Sequence, residues 1–185
     1  MIGKRTAMID HPNLPVDGRI LYFSRDRAAF GFLSHFHPAA IELDGESWRT
    51  VEHYYQAQKS DHPDYRAAIR AAVSPGIAKR LAAPPAAPRR ISQQSWFRKN
   101  RALPRADWHE VKLDIMRRAD SAKFTQHAEL AALLLATGEA TLIEDSPREP
   151  FWGTGPDGNG HNWAGRVLME IRDDLRQAGN AQARQ

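Results

Sequence analysis

The chain has 185 residues, of which 42% are hydrophobic and 26% are charged, so it is long enough for one globular domain with a sizeable core. It contains no cysteine, which excludes disulfides, thiolate chemistry and cysteine-ligated metal sites. The formal net charge is +4 and the pI is near 9.6, a balance that favours anionic partners such as phosphates or nucleic acid.

The first half of the chain predicts short strands followed by helices. Residues 19–23, with the sequence RILYF, predict a short strand, and residues 41–48 predict a hairpin because Asp44-Gly45 is a strong type I′ turn signal. Three helices follow, and their predicted positions are from the cap Thr50 to about Ser60, from Asp64 to about Val73, and onward from Ser74-Pro75.

Residues 84–106 form a basic, proline-rich stretch without an apolar period, and we predict a long loop or insertion there. Within seventeen residues that contain no acid, six are cationic: Arg89, Arg90, Arg98, Lys99, Arg101 and Arg105. This pattern is typical of a solvated loop, or alternatively of a surface that contacts phosphate or nucleic acid. Trp96-Phe97 is unusual in a solvated linker, so these rings are expected to pack back over the domain or to cover a site.

The second half predicts mainly helices. Asp107 and Glu110 have the spacing of a capping box before a long helix, and Gly138 is expected to end a second helix that begins near Gln126. A short strand over residues 141–144 and a last helix over about 163–176 follow, with a flexible tail at 178–185.

The fold class predicted from these elements is α+β, a mainly helical single domain with a small antiparallel sheet. Strands do not alternate with helices, which argues against a doubly wound parallel sheet. We expect residues 1–18 to be an N-terminal extension and residues 19–177 to form the domain.

The first candidate site is the polar face of the helix after Thr50. Glu52, Gln56 and Lys59 are spaced i, i+4 and i+7, so they share one face. A negative charge is favoured in a first helical turn, and an ionised carboxylate there can act as a base or stabilise a cation. The alternative to a functional site is an ordinary first-turn glutamate on a polar, solvent-exposed face of the helix. His53 and His62 do not have a spacing that indicates a metal site.

The second candidate site is the glycine-rich segment 151–162. Its four glycines let backbone N–H groups approach a ligand, and the following helix start favours an anion. The segment matches neither the phosphate-binding loop nor the dinucleotide fingerprint, and an ordinary turn before a helix is the alternative. Trp152 favours a ligand, because an aromatic ring beside a glycine loop can stack on a base.

Six aromatic residues could line a slot for a flat heterocycle, although most residues of this kind lie in the core. They are Phe32, Phe36, Trp48, Trp108, Trp152 and Trp163. The sequence also lacks the serine-hydrolase elbow, the zinc-protease motif and the zinc-deaminase signature. No apolar run approaches the roughly 20 residues of a membrane span, and residues 1–15 lack the apolar region of a signal peptide. We therefore expect a cytoplasmic protein with no membrane contact.

Taken in order, these segments resemble the NADAR (YbiA-like) family over about residues 21–175. The early segment is Phe30-Gly31-Phe32-Leu33-Ser34-His35-Phe36, and the main signature is Trp48-x-Thr50-x-Glu52-His53-Tyr54-x-Gln56-Ala57-x-Lys59. The middle helix contributes Trp108, Val111, Lys112, Met116, Ala119, Lys123 and Phe124. The last part contributes Leu134-Leu135-x-Thr137, Leu142-x-Glu144, Phe151-Trp152-Gly153, Gly160-x-Asn162-x-x-Gly165 and Leu168-Met169-x-x-Arg172.

The resemblance implies an N-glycosidase that needs no cofactor and no metal. Its substrate would be a phosphorylated nucleotide-like molecule, either a ribosylamino-pyrimidine phosphate of riboflavin synthesis or ADP-ribose attached to guanine of nucleic acid. Glu52 falls on the family's catalytic glutamate, and Lys59 is a second catalytic candidate as an aid to the leaving nitrogen or as a Schiff-base amine. The predicted substrate-binding residues are Phe36, Gln56, Trp108, Trp152, Gly153, Gly160 and Asn162.

Three features depart from the family pattern. His35 stands where the family usually has asparagine, Thr154 stands where a common relative has aspartate, and residues 84–104 are longer and more basic. The first two change the hydrogen bonding expected at the site, while the basic segment would suit a larger anion such as ADP-ribosylated DNA. Two other readings stay open, namely a non-catalytic ADP-ribose or nucleotide reader and a nucleic-acid-binding module that uses the basic segment.

Overall fold

The computed structural model describes residues 17–22 and 29–183. Most of the predicted N-terminal extension, and Phe23 of the first predicted strand, lie outside these residues. The strands are β1 (Arg19–Tyr22), β2 (Ile41–Leu43), β3 (Glu46–Trp48) and β4 (Thr141–Glu144), and a 3-10 helix spans Gly31–Leu33. The helices are α1 (Val51–Ala57), α2 (Pro63–Arg70), α3 (Pro75–Leu81), α4 (Arg89–Ser92), α5 (Trp96–Asn100), α6 (Trp108–Gln126), α7 (Ala128–Ala136) and α8 (Trp163–Gln182). None of these described helices is long and apolar enough to cross a membrane.

Local sequence signals placed the hairpin and two helix starts correctly. β2 and β3 pair antiparallel, and their turn holds Asp44 at φ 54° and Gly45 at φ 76°, as a type I′ turn requires. Thr50 Oγ1 accepts the His53 N–H at 3.3 Å, and Ser74 Oγ accepts the Ile77 N–H at 3.3 Å. α1 nevertheless ends at Ala57, before the predicted Ser60.

The α+β class is confirmed, but a second strand pair was not foreseen. β1 pairs with β4 in parallel, with Ile20 opposite Leu142, and both side chains are fully buried. This pair is held by apolar packing against α8 and α7 rather than by a turn. The small sheet expected from the sequence is therefore two separate two-stranded sheets, one antiparallel and one parallel.

Two apolar clusters make up the core, and α6 contributes to both. The first gathers residues of α1, α2, α3 and the hairpin around Trp48 and Tyr54. The second joins β1, β4, α7 and α8 around Phe32 and Leu168. Because α6 places Met116 in the first cluster and Phe124 in the second, it fixes the two halves relative to each other.

The prediction of a long loop at 84–106 is wrong. The segment contains α4 and α5, and Ser95 Oγ caps α5 by accepting the Arg98 N–H at 3.2 Å. Phe97 is completely buried and packs on Tyr65 with ring centroids 4.7 Å apart. The spacing of apolar residues could not reveal these helices, because each is only four or five residues long.

Two further predictions are corrected at helix ends. Asp107 makes no capping bond at the start of α6, because Arg105 occupies its carboxylate at 2.6 and 2.8 Å. α8 continues to Gln182, six residues beyond the predicted Arg176.

Candidate active site

A cleft of about 750 Å³ opens between α1, α3, α4 and the segment that follows β4. Its buried members, which form the floor, include Ser34, His35, Glu52, Gln56 and Met116. Its exposed members, which form the rim, include Arg80, Arg90, Ile91, Pro147 and Arg148. The volume falls in the range of small-molecule sites, which is roughly 300–1,000 Å³.

Glu52 lies on the floor of this cleft and is held by neighbours on two elements. Its side chain is only 4% exposed, and Oε1 accepts a hydrogen bond from Gln56 Nε2 at 2.8 Å. Its backbone N–H donates to the His35 carbonyl at 3.2 Å, which ties the first turn of α1 to the segment after the 3-10 helix. A buried carboxylate with one oriented oxygen is suited to stabilise positive charge or to take a proton.

Lys59 follows the end of α1 and also lines the cleft. Its Nζ donates to the Ala82 carbonyl at 3.3 Å and lies 5.4 Å from the centre of the Trp108 ring. Burial lowers the pKa of Lys59 to about 8, although the Glu52 charge acts in the opposite direction. At a given pH near neutrality, the Lys59 amine is therefore neutral in a larger fraction of molecules than the amine of an exposed lysine.

Only two of the six predicted aromatic residues line the cleft. Phe36 and Trp152 line the cleft, whereas Phe32 and Trp48 are core residues. Trp108 does not line it directly. Its ring packs on Tyr55 at 4.9 Å, and Tyr55 in turn meets Trp152 edge-on at 5.6 Å. The two predicted tryptophans are thus joined through Tyr55.

Cations line both the interior and the opening of the cleft. Lys59, Lys79, Arg80, Arg90 and Arg148 all line it, and Arg90 comes from the basic segment on α4. Lys79 Nζ donates to Glu149 Oε1 at 3.0 Å. Burial disfavours the charge on Lys79, but Glu52 and Glu149 outweigh it and raise its pKa. The rim therefore presents fixed positive charge to an incoming anion.

Two acidic residues at or beside the cleft were not predicted as site residues from the sequence. Glu144, at the end of β4, lines the cleft, and burial raises its pKa with help from the charges of Glu52 and Glu149. Asp120 is fully buried on α6, and its Oδ2 lies 3.0 Å from His35 Nε2. The only signal in the sequence was that Glu144 belongs to the matching segment Leu142-x-Glu144, and Asp120 gave none.

A family model described as NADAR domain matches residues 22–176 of the chain. The chain belongs to the NADAR family. It is 41% identical over 157 residues to N-glycosidase YbiA of Escherichia coli, covering 84% of this chain and 88% of that protein. It is 38% identical to an N-glycosidase of Nostoc punctiforme, covering 84% and 92% of the two chains.

The structural comparison agrees with the sequence comparison. The NMR structure of Escherichia coli YbiA matches with a TM-score of 0.72 and 37% identity, over 96% of this chain and 95% of that one. A riboflavin biosynthesis protein of Vibrio vulnificus is 36% identical over 85% of this chain, which spans 39% of that longer protein. These relatives support the expected class of enzyme, a hydrolase of N-glycosyl bonds.

The glycine-rich segment of this NADAR chain lies outside the cleft, apart from Trp152. A Cβ on Gly153 would come 2.6 Å from the Glu144 carbonyl oxygen, and one on Gly160 would come 2.1 Å from the Gly153 carbonyl oxygen. Asn162 uses its side chain to donate to the Leu142 carbonyl at 2.8 Å and to accept the Glu144 N–H at 3.0 Å. Gly153 and Asn162 therefore pack the loop against β4, and Gly160 packs against other residues of the loop.

The expected phosphate site at the start of α8 is not formed. The first N–H groups of this helix, on Trp163 and Ala164, donate to the carbonyls of Phe151 and Trp152 at 3.1 Å. The Asn162 N–H likewise donates to the Gly153 carbonyl at 3.2 Å. These donors are used inside the loop, and the positive charge that lines the cleft comes from side chains.

Proposed function

We propose that this NADAR chain hydrolyses the bond between ribose C1′ and a base nitrogen in a phosphorylated nucleotide-like substrate. The observation that carries the proposal is a buried carboxylate, Glu52, on the floor of a cleft that also holds an indole ring, Trp152, and a cationic rim. The substrate needs these three features, because it combines a sugar that becomes positively charged, a flat base and a phosphate.

The proposed chemistry follows from the bond that breaks. As the C1′–N bond lengthens, its electron pair moves to nitrogen and the sugar takes on oxocarbenium character. The carboxylate of Glu52 stabilises that charge and accepts a proton from the attacking water, by analogy with glycoside hydrolysis. Gln56 supports this role because its amide holds Oε1 of Glu52 in place at 2.8 Å.

Lys59 is the second catalytic candidate, and its setting supports two roles. Its ammonium form can donate a hydrogen bond to the leaving nitrogen. Its neutral form, which is favoured by a pKa of about 8, can condense with the aldehyde of an opened sugar to give an imine and water. Both roles need the amine to reach the substrate, and the presence of Lys59 among the residues that line the cleft supports this.

The phosphate is assigned to the rim rather than to the glycine-rich segment. Lys79, Arg80, Arg90 and Arg148 supply charge at the opening, and arginine suits the bidentate recognition of phosphate oxygens. The base is assigned to the side of the cleft formed by Trp152 and Phe36. Trp108 supports this side through Tyr55, so its proposed role in binding is indirect.

Two substrate classes fit this arrangement. A ribosylamino-pyrimidine phosphate is supported by the relatives named as riboflavin biosynthesis proteins. ADP-ribose on guanine of nucleic acid is supported by α4, since the basic segment adds Arg90 and the 41% exposed Ile91 to the rim, where a longer anion would extend. The lack of cysteine is consistent with action in the cytoplasm.

A side-by-side assay tests the proposal. The purified chain is incubated with ribosylamino-pyrimidine phosphate and, separately, with DNA that carries ADP-ribosylated guanine, and the released species are measured by mass spectrometry. We expect free base with ribose 5-phosphate in the first case, or repaired guanine with free ADP-ribose in the second. Saturable binding without either product would instead establish a non-catalytic reader of the same ligands.

A further inference from the structure

His35 is the one imidazole on the floor of the cleft among the described residues. It lies between the 3-10 helix and β2, and it is 8% exposed. Its ring meets Trp152 edge-on, with centroids 6.3 Å apart. Since the base is assigned to the Trp152 side, the imidazole stands beside the position of the leaving nitrogen.

Asp120 orients this imidazole. Its Oδ2 lies 3.0 Å from His35 Nε2, and its carboxylate has no solvent exposure. A carboxylate in this position fixes the ring and stabilises its protonated form. Within the described parts of the chain, the hydrogen bond of the His35 ring is made by Nε2, so Nδ1 is the nitrogen assigned to the ligand.

The charged groups around His35 come from three elements. They are Asp120 and Lys123 of α6, Glu52 of α1 and Glu144 of β4. The Lys123 ammonium is turned to the carbonyls of Phe32 and Ser34, at 2.6 and 3.0 Å. Burial disfavours a charge on the imidazole, but the carboxylates of Asp120, Glu144 and Glu52 outweigh it and raise the pKa of His35.

We infer that His35 is the general acid that protonates the departing base, with Asp120 as the residue that positions it. The inference rests on the proposed function. When the C1′–N bond breaks, its electron pair goes to nitrogen, and that nitrogen takes the proton from His35 Nδ1. Water supplies the oxygen that bonds to C1′ and gives its proton to Glu52. Exchange with solvent then returns one proton to His35 and removes one from Glu52.

The test is the pH profile of kcat for the wild type and His35→Gln on whichever substrate is turned over. The glutamine amide can still reach Asp120, but it cannot deliver a proton. A general acid works only while protonated, so wild-type kcat should fall as pH rises through the His35 pKa. His35→Gln should lower kcat by about 10²-fold or more and remove the decline whose midpoint matches the His35 titration, leaving at most a decline at the Lys59 pKa of about 8. His127→Gln, which alters an imidazole bound to the Ala40 carbonyl outside the cleft, should leave both features unchanged.

An NMR titration of the His35 ring provides a second test that does not require turnover of a substrate. NMR of the wild-type His35 ring should give a midpoint above 6.5, and Asp120→Asn should lower it. A wild-type midpoint at or below 6.5 overturns the inference, as does an alkaline decline that persists in folded His35→Gln with kcat within threefold of wild type. Neither result would contradict the proposed function, because the wild type would still release the base. If the wild type itself releases no base, the proposed function fails and this role fails with it.

Discussion

The sequence predicts a place in the site for the first turns of both α1 and α8, but the structure uses them differently. In α1, Glu52 turns its carboxylate toward the floor of the cleft and is held there by Gln56. In α8, the N–H groups of Trp163 and Ala164 bond to the carbonyls of the preceding loop. The start of α1 therefore carries the proposed catalytic carboxylate, while the start of α8 bonds to the loop before it.

The difference shows when a helix start can serve as a ligand site. Its N–H groups offer favourable charge only if nothing in the protein has already taken them. The glycines before α8 let the loop fold back until its carbonyls reach those groups. The glycine-rich composition that indicated ligand binding is instead what packs this loop against β4.

The largest effect is expected at α1. Glu52→Gln keeps the shape and the hydrogen bond to Gln56 but removes the charge, so kcat/KM should fall by about 10²–10⁴-fold. Glu129→Gln is the matched control, because Glu129 also occupies a first helical turn but is exposed on α7. Steady-state kinetics on the two candidate substrates check this. Wild-type turnover by Glu52→Gln would end the proposed mechanism.

The structural role of the loop before α8 should appear in stability. Gly160→Ala puts a methyl group 2.1 Å from the Gly153 carbonyl oxygen, and overpacking of this kind costs about 1–3 kcal/mol. Gly179→Ala in the exposed part of α8 meets no atom within 4 Å and should stabilise the protein by about 0.5 kcal/mol. Urea denaturation measures both changes. Equal stability of the two variants would show that the loop is not packed as described.

A third pair of variants tests whether the phosphate binds at the rim of the cleft or at the start of α8. Arg90→Gln should raise KM for a phosphorylated substrate by about tenfold, because it removes a charge-assisted contact. Arg166→Gln removes an exposed cation from the first turn of α8 and should leave KM unchanged. Measuring both variants also on the dephosphorylated substrate isolates the phosphate effect. A larger increase in KM for Arg166→Gln than for Arg90→Gln would instead indicate that the phosphate binds at the start of α8.

The smallest effect concerns Lys59, just beyond α1. Its pKa is about 8 in the folded chain and 10.5 without burial, so between these pH values the unfolded chain holds a proton that the folded chain has lost. The contribution of Lys59 to the free energy of unfolding therefore rises with pH across this window. Lys59→Met should lack that rise, which urea denaturation on both sides of the window would show. Parallel stability curves for the two proteins would contradict the lowered pKa.

Short-range signals predicted a large part of the fold. Asp44-Gly45 specified the hairpin turn, and the hydroxyls of Thr50 and Ser74 specified two helix starts, because each of these signals acts within three or four residues. The i, i+4, i+7 spacing likewise predicted that Glu52, Gln56 and Lys59 would share a face, and all three line the cleft. Trp152 was also predicted as a site residue, and it lines the same cleft.

Other features depend on residues that are distant in the sequence. β1 and β4 pair through apolar packing, and His35 meets Asp120 across 85 positions. Phe97 makes the basic segment part of the core, although prolines and arginines surround it in the sequence.

The sequence by itself determined turns, helix caps and the polar face of α1, because these depend on local backbone geometry and side-chain spacing. Only the tertiary structure decided which polar groups share a buried space. It brought Glu144 and His35 to the cleft and used the N–H groups at the start of α8 within the preceding loop. The physical reason is that burial and hydrogen-bond satisfaction belong to the packed chain as a whole.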